Sequence, residues 1–165
     1  MSAGARFEEA RSLATKGNAA GALAVLDALL DEEPDHLAAL LFKAQLLLES
    51  RASDAALALY ERAARTAPRS AEAWNELARC LHALGRHEEG LAAAEQARGL
   101  LGEGENARHA ASVYLTLVWC LRELRRYKEA LAAAAEGLAR MPDAVLAEYA
   151  TLVEQEWAHA ERERC

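Results

Sequence analysis

The sequence predicts an all-α fold built as a stacked array of helix pairs. The chain is rich in alanine and leucine, with 53% hydrophobic residues, 5% aromatic residues and three prolines, a composition typical of helices. Pro34 and Pro68 lie 34 residues apart, and each separates two helix-like stretches. The segments that surround them align at the same offset, so that residues 74–81 correspond to residues 40–47. Internal repetition with such a period predicts stacking of helical repeats.

Helix-ending and helix-starting residues divide the chain into nine predicted helices. Gly17 and Gly85 lie midway between the proline positions, where glycine suits a left-handed helix end, and residues 50–53 and 125–126 occupy the matching places in the other units. Short polar residues stand where N-caps are needed: Asn18, Asp35, Ser53, Ser70, Asn106 and Asp143. The predicted helices span roughly 4–16, 19–32, 36–49, 53–66, 70–83, 87–101, 107–124, 127–140 and 143–163. Short connections predict antiparallel packing of consecutive helices.

Large and small apolar residues recur at fixed places in each unit. The third unit carries Trp74-x2-Leu77-Ala78-x2-Leu81, and the fourth carries Tyr114-x2-Leu117-Val118-x2-Leu121, Ala130-x3-Ala134 and Pro142. The second carries Leu40, Ala44, Leu47, Ala56-x3-Tyr60, Ala63 and Pro68, and the first keeps Leu13, Ala22-x3-Leu26 and Pro34. This arrangement resembles the tetratricopeptide repeat family, whose pattern is W-x2-L-G-x2-Y, then A-x3-F, then P.

The resemblance implies a right-handed superhelical solenoid of antiparallel helix pairs, with about four units in a single domain over residues 1–165. The expected repeats cover roughly 3–36, 37–70, 71–104 with a short insertion to 110, and 111–144, followed by a capping helix over 143–165. From Gly102 to Pro142 is 40 residues rather than 34, so six residues are added near 101–106. The glycines there favour a loop, although a longer helix over 101–108 stays open. The last segment has an apolar stripe that includes Val145, Tyr149 and Trp157, as expected of a cap.

The resemblance also implies that the first helix of each unit lines an inner, concave groove. Equivalent positions form three rows: Phe7, Leu41, Asn75 and Leu115; Arg11, Gln45, Arg79 and Trp119; and Ala14, Leu48, His82 and Arg122. These rows contain no acidic residue, and they predict a groove that is apolar on one side and cationic on the other. We expect it to bind a protein or peptide segment with apolar groups and with acidic groups met by Arg11, Arg79 and Arg122. The alternative is that helix rotation buries several of these side chains between repeats.

Other classes of function are disfavoured by charge and by spacing. The net charge of −7 disfavours nucleic acid as a partner, and no apolar run is long enough for membrane insertion. Three cysteines without paired spacing predict a reducing, cytoplasmic compartment. His82 and His87 are five residues apart across a helix end, which is poor geometry for a metal, and a Cys-His nucleophile would need distant segments to converge. We therefore predict no catalytic residue, no metal site and no cofactor.

The function expected from these observations is a non-catalytic adaptor or scaffold that binds a peptide or helical segment in the groove. Two alternatives stay open. One is a cytoplasmic, secretion-type chaperone that holds an apolar client segment, in keeping with an alanine-rich composition typical of GC-rich bacteria. The other is a self-assembling scaffold or homodimer joined through the capping helix, with Trp157 and Cys165 near the contact.

Overall fold

Helices are the regular secondary structure of residues 2–102 and 107–163, the part of the chain that the computed structural model describes. Within these residues there are nine helices and no strand: α1 Ala3–Thr15, α2 Ala19–Glu32, α3 Leu37–Glu49, α4 Ser53–Thr66, α5 Ala71–Ala83, α6 His87–Gly99, α7 Ala107–Glu123, α8 Tyr127–Arg140 and α9 Ala144–Arg162. Every helix end lies within two residues of its predicted position. The predicted all-α class is confirmed.

The chain divides into two compact units, Met1–Pro68 and Arg69–Cys165. In the first unit, α1 packs against α2, α2 against α3, and α3 against α4. In the second unit, α5 packs against α6, α6 against α7, and α7 against α8, while α7 also contacts α5. The ninth helix packs against both α7 and α8 and therefore covers the last helix pair, as the predicted capping helix should.

A residue in the left-handed conformation lies two residues after the end of the first helix of each pair. These residues are Gly17, Arg51, Gly85 and Arg125, with φ of 78°, 65°, 75° and 56°. At each one the backbone N–H bonds to the carbonyl three residues before it, and the next N–H bonds to the carbonyl five residues before itself. This pair of bonds is the Schellman motif, which satisfies carbonyls that a helix end leaves unpaired. The predicted breaks are confirmed at all four places, including the two that carry arginine.

The N-terminal ends of the helices follow the prediction less closely. Side-chain caps are present at three predicted residues, Asn18, Ser70 and Asp143. The prediction of Asp35 is wrong, because His36 caps α3 through Nδ1, which accepts from the Ala39 N–H at 3.2 Å. Ser53 is the first residue of α4 rather than its cap, and the residue before it makes no side-chain cap bond. The predicted cap Asn106 lies outside the described residues.

Small residues allow the helices to approach closely. The alanines expected at helix crossings are all fully buried: Ala44, Ala56, Ala63, Ala78 and Ala97. Tyr60 and Tyr114 are buried as well, whereas Trp74, expected to fill a gap in the core, is only half-buried. Helices approach closely at Gly137 as well, where a Cβ would lie 2.7 Å from both Leu146 Cδ2 and Tyr114 Cγ. The backbone of α8 therefore lies directly against side chains of α7 and α9.

The six added residues fall between α6 and α7. The sixth helix ends at Gly99, so it is shorter than the predicted helix over 87–101, and Leu101 is buried outside it. The seventh helix begins at Ala107. The remainder of the predicted insertion, residues 103–106, lies outside the described residues.

Candidate functional site

The predicted groove residues of the first unit lie on α1 and α3. Phe7 is half-buried, with its ring centroid 5.9 Å from that of Phe42 in an edge-to-face arrangement. Leu41 and Leu48 are also half-buried. Arg11 and Gln45 are exposed, and each bonds to a carboxylate of its own helix, Glu8 at 3.0 Å and Glu49 at 3.0 Å respectively. The polar groove residues of this unit are thus held by bonds within one helix.

Asn75 of α5 is the most buried of the predicted site residues, with 4% of its surface exposed. Its Nδ2 donates to Ser112 Oγ of α7 at 2.9 Å, whereas its Oδ1 is buried and accepts no hydrogen bond from any described residue. A cavity of about 50 Å³ lies beside it. The lining residues are Ala71, Glu72, Asn75, Glu76, His109, Ser112 and Val113. A residue that lines this cavity therefore carries a buried hydrogen-bond acceptor without a partner.

His82, Trp119 and Tyr149 form a chain of rings that links α5, α7 and α9. The ring centroids of His82 and Trp119 are 5.7 Å apart and stacked, and those of Trp119 and Tyr149 are 5.8 Å apart and edge to face. His87 lies 5.1 Å from His82, ring to ring. Burial lowers the pKa of His82, and the neighbouring His87 lowers it further. Among the described residues, Trp119 Nε1 and His87 Nδ1 are buried without a hydrogen-bond partner.

The predicted cationic side of the groove is neutralised by carboxylates from outside the rows. Arg79 bonds to Glu76 of its own helix at 2.9 Å. Arg122 donates to both carboxylate oxygens of Glu156 on α9, at 2.8 and 2.5 Å, and the pKa of Arg122 is raised mainly by this hydrogen bonding. Acidic residues are absent from the rows themselves, but Glu76 and Glu156 reach them. The ion pair with α9 could not be seen from spacing, because that helix does not repeat the pattern of the units.

The contacts between inner helices of the second unit also differ from the predicted rows. The rows place Asn75 beside Leu115 and His82 beside Arg122, but the observed partners are Ser112 and Trp119. Each observed partner lies three residues before the row-mate, which is close to one helical turn. Leu115 itself is half-buried on α7. Residues at equivalent positions of the two repeats are therefore not contact partners here, and the observed contacts lie about one turn away along α7.

One cysteine and one histidine do come together from distant segments. Cys120 Sγ of α7 lies 4.0 Å from His82 Nδ1 of α5. Burial raises the pKa of Cys120 to about 12, so the thiol stays protonated near neutral pH. Within residues 2–102 and 107–163, no group of three or more histidine, cysteine or acidic side chains could hold a metal ion. The same residues include no helix that is long and apolar enough to span a membrane.

Two family models match the chain. Residues 15–97 match the model described as "Anaphase-promoting complex, cyclosome, subunit 3", and residues 69–143 match the model described as "Tetratricopeptide repeat". No protein of curated function matches the sequence. The matched ranges overlap and together cover residues 15–143, from the last residue of α1 past the end of α8.

Several solved structures resemble the chain at low sequence identity. PilF of Pseudomonas aeruginosa is 17% identical, with a TM-score of 0.81, over 98% of this chain and 69% of that one. MamA is 16% identical, with a TM-score of 0.77, over 93% of this chain and 81% of that one. YrrB, described as a TPR protein with an unusual peptide-binding site, is 18% identical, with a TM-score of 0.70, over 94% and 76%. These likenesses show the fold. The two family models show that the chain belongs to the tetratricopeptide repeat family, whose helix pairs form protein–protein interaction modules.

Proposed function

We propose that this chain is a non-catalytic adaptor that binds a peptide or helical segment on the first helices of its repeats. The observation that carries the proposal is the unpaired Oδ1 of Asn75, buried beside a cavity. A buried acceptor without a donor costs about 1–3 kcal/mol, and a bound segment with a free N–H would remove that cost. Half-buried Leu115 lies one turn further along α7 and offers apolar contact.

The bound segment is proposed to carry apolar and acidic groups. Phe7, Leu41 and Leu48 in the first unit, and Leu115 and Trp119 in the second, supply half-buried apolar surface. The side chains of Arg11 and Arg79 are 57% and 48% exposed, and each pairs with a carboxylate of its own helix. Such exposed pairs contribute only about 0–1 kcal/mol, so an acid of the partner can replace Glu8 or Glu76.

Gln45, His82 and Arg122 complete the proposed surface in different roles. Gln45 is exposed beside its partner Glu49 and can hydrogen-bond a ligand backbone. His82 supports the ring of Trp119, and Arg122 holds α9 through Glu156. We therefore assign His82 and Arg122 the positioning of the surface rather than direct capture of a partner acid.

The absence of catalysis is part of the proposal. The Cys120 thiol beside His82 is the nearest approach to a nucleophile and base, and its raised pKa opposes formation of the thiolate. Cys120 is a free, buried cysteine, which supports the proposed cytoplasmic location, where thiols stay reduced.

The test is selection of peptides from a displayed random library, followed by measurement of Kd for the best binder. Asn75→Ala and Leu115→Ser should each raise Kd about tenfold, because each removes a contact worth about 1–2 kcal/mol. Gln96→Ala, at an exposed site on α6, should leave Kd unchanged. Selected peptides that bind both surface variants as tightly as the wild type would contradict the proposal. Thermal melts of each variant separate loss of binding from loss of fold.

A second candidate function is self-association through α9. Val145 and Leu152 are large apolar residues with 48% and 37% of their surface exposed, and their spacing of seven places them on one face of the helix. Trp157 is half-buried, with Lys128 Nζ 5.6 Å from its ring centroid. Cys165, the other residue expected near such a contact, lies outside the described residues. Light scattering that gives a monomer mass at every concentration would exclude this candidate, and a dimer should be dissociated by Leu152→Glu.

A further inference from the structure

Hydrogen-bond acceptors are present among the residues that line the cavity beside Asn75. Asn75 Oδ1 has free lone pairs, and Ser112 Oγ already accepts from Asn75 Nδ2. A group that only accepts hydrogen bonds, such as a carboxylate, would leave Asn75 Oδ1 unpaired and would meet it oxygen to oxygen. A group that donates several hydrogen bonds would satisfy it.

The charges that line the cavity are negative. Glu72 and Glu76 lie on successive turns of α5, and the lining contains neither lysine nor arginine. Glu76 is paired with Arg79, whereas no ion pair of Glu72 exists within residues 2–102 and 107–163. Two carboxylates beside a partly enclosed space favour a cation there and disfavour an anion.

The size of the cavity narrows the choice of cation. A water molecule occupies about 30 Å³ of liquid, and an ammonium head is of similar size, so a cavity of about 50 Å³ accommodates it. The planar guanidinium of arginine and a quaternary ammonium are larger. An ammonium group also carries three N–H donors, whereas a quaternary ammonium carries none.

From these observations we infer that the Asn75 cavity binds a primary ammonium group of the bound segment. The N–H groups of this ammonium donate hydrogen bonds to Asn75 Oδ1 and to the carboxylates of Glu72 and Glu76. The inference rests on the proposed function, because it names the group that the segment inserts at this site. In this arrangement the Glu76–Arg79 ion pair also takes part in recognition of the segment. An acidic group of the segment can replace Glu76 as the partner of Arg79. The Glu76 carboxylate is then available to the ammonium group, so the surface selects a segment that carries both charges.

The experiment uses the full chain labelled with ¹⁵N and small probes of defined charge. Methylammonium should shift the Asn75 side-chain amide and the backbone amides of Ser112 and Val113 in a saturable, millimolar titration. Acetate and tetramethylammonium at equal ionic strength should not do so, since one lacks positive charge and the other lacks N–H donors. Equal shifts with methylammonium and tetramethylammonium, or larger shifts with acetate, would overturn the inference.

Two further arms identify the source of the ammonium group. N-acetyl-lysine amide carries it on the side chain, and glycinamide carries it at the chain terminus, so their relative affinities show which source the cavity prefers. N-acetyl-norleucine amide is the uncharged match of the lysine probe and should bind at least fivefold more weakly. Equal affinity of the lysine and norleucine probes would contradict the inference.

Charge variants outside the core test the electrostatic part. Glu72→Gln should weaken methylammonium binding about two- to fivefold, the range expected for an exposed ion pair, whereas Glu88→Gln on α6 should leave it unchanged. An equal effect of the two variants would show a general charge effect and would overturn the inference. Failure of the proposed function looks different: displayed peptides would bind regardless of Asn75→Ala, while the small-probe titrations would still report the charge preference of the cavity.

Discussion

Most polar residues of the candidate site are held differently in the two units, although Arg79 of the second unit bonds to Glu76 of its own helix. In the first unit, Arg11 and Gln45 bond to carboxylates of their own helices. In the second unit, Asn75 bonds to Ser112 on the next inner helix and Arg122 bonds to Glu156 on α9. A bond within a helix supports that helix alone, whereas a bond between helices also sets the position of one repeat relative to the next. At the candidate-site positions, the second unit should therefore depend on single side chains for its tertiary packing more than the first. In the first unit the ion pairs between helices, Arg6 with Glu32 and Lys43 with Asp27, lie outside the candidate site.

The strongest test of that comparison is Gly137→Ala in α8. The added Cβ would lie 2.7 Å from Leu146 Cδ2 and from Tyr114 Cγ, so α7 or α9 must move. We expect the free energy of unfolding to fall by about 2–3 kcal/mol, the upper range for overpacking. Urea denaturation measures it. Gly99→Ala in α6 is the matched control, since a Cβ there meets nothing within 4 Å, and the change should stabilise by up to about 1 kcal/mol. Similar values for the two variants would contradict the packing described here.

Removal of one arginine from each unit compares the two kinds of bond directly. Arg122→Ala should destabilise the chain by about 1–2 kcal/mol, because it breaks two charge-assisted bonds to Glu156, whereas Arg11→Ala should cost less than about 0.5 kcal/mol. A double-mutant cycle of Arg122→Ala with Glu156→Ala isolates the pair energy. A coupling free energy near zero would show that the Arg122–Glu156 pair does not stabilise the packing of α9.

The ring chain of the second unit should make its stability depend on pH. The folded-state pKa of His82 is lowered, so the unfolded chain takes up the proton first as the pH falls. The stabilising contribution is complete above about pH 6.5 and is lost as the pH falls from there through the lowered pKa. The charged groups that act on His82 are His87, Arg122 and Glu123. His82→Gln should reduce the difference in unfolding free energy between pH 7.5 and pH 5.5, measured by urea titration at both values. An unchanged difference would show that other groups cause it.

The helix ends should respond equally in the two units. Arg51 and Arg125 have positive φ, a conformation that costs an L-residue about 1–2 kcal/mol. Glycine removes this strain, but its greater conformational entropy stabilises the unfolded chain and offsets part of the gain. Arg51→Gly and Arg125→Gly should therefore each raise the free energy of unfolding by about 0.5 kcal/mol. Gly17→Ala and Gly85→Ala are the reverse changes and should lower it by about 1 kcal/mol. A loss of stability in either glycine variant would show that the arginine side chain makes a contact that offsets the strain.

Local structure was the part most accessible from the sequence. The nine helices and their four left-handed ends follow from repeat spacing and turn residues, because hydrogen bonds between near neighbours in the chain satisfy helix termini. The N-cap of α3 was assigned to Asp35 instead of His36, because a histidine Nδ1 can accept the same N–H bond and is seldom counted as a cap. The equivalent positions in the repeats also predict which helix faces carry the candidate site, and this stays a prediction.

The sequence by itself determined the helices, their ends, and the small residues at which they cross, since these depend on neighbours within one repeat period. Only the tertiary structure decided which side chains meet across helices: Asn75 with Ser112, His82 with Trp119, and Arg122 with Glu156. Side chains lean toward the N-terminus of their helix, and packed helices are displaced along their axes, so equivalent positions in successive repeats do not become contacts. Asn75, whose Oδ1 is buried without a hydrogen-bond partner, lines a cavity, and both proposals depend on this arrangement.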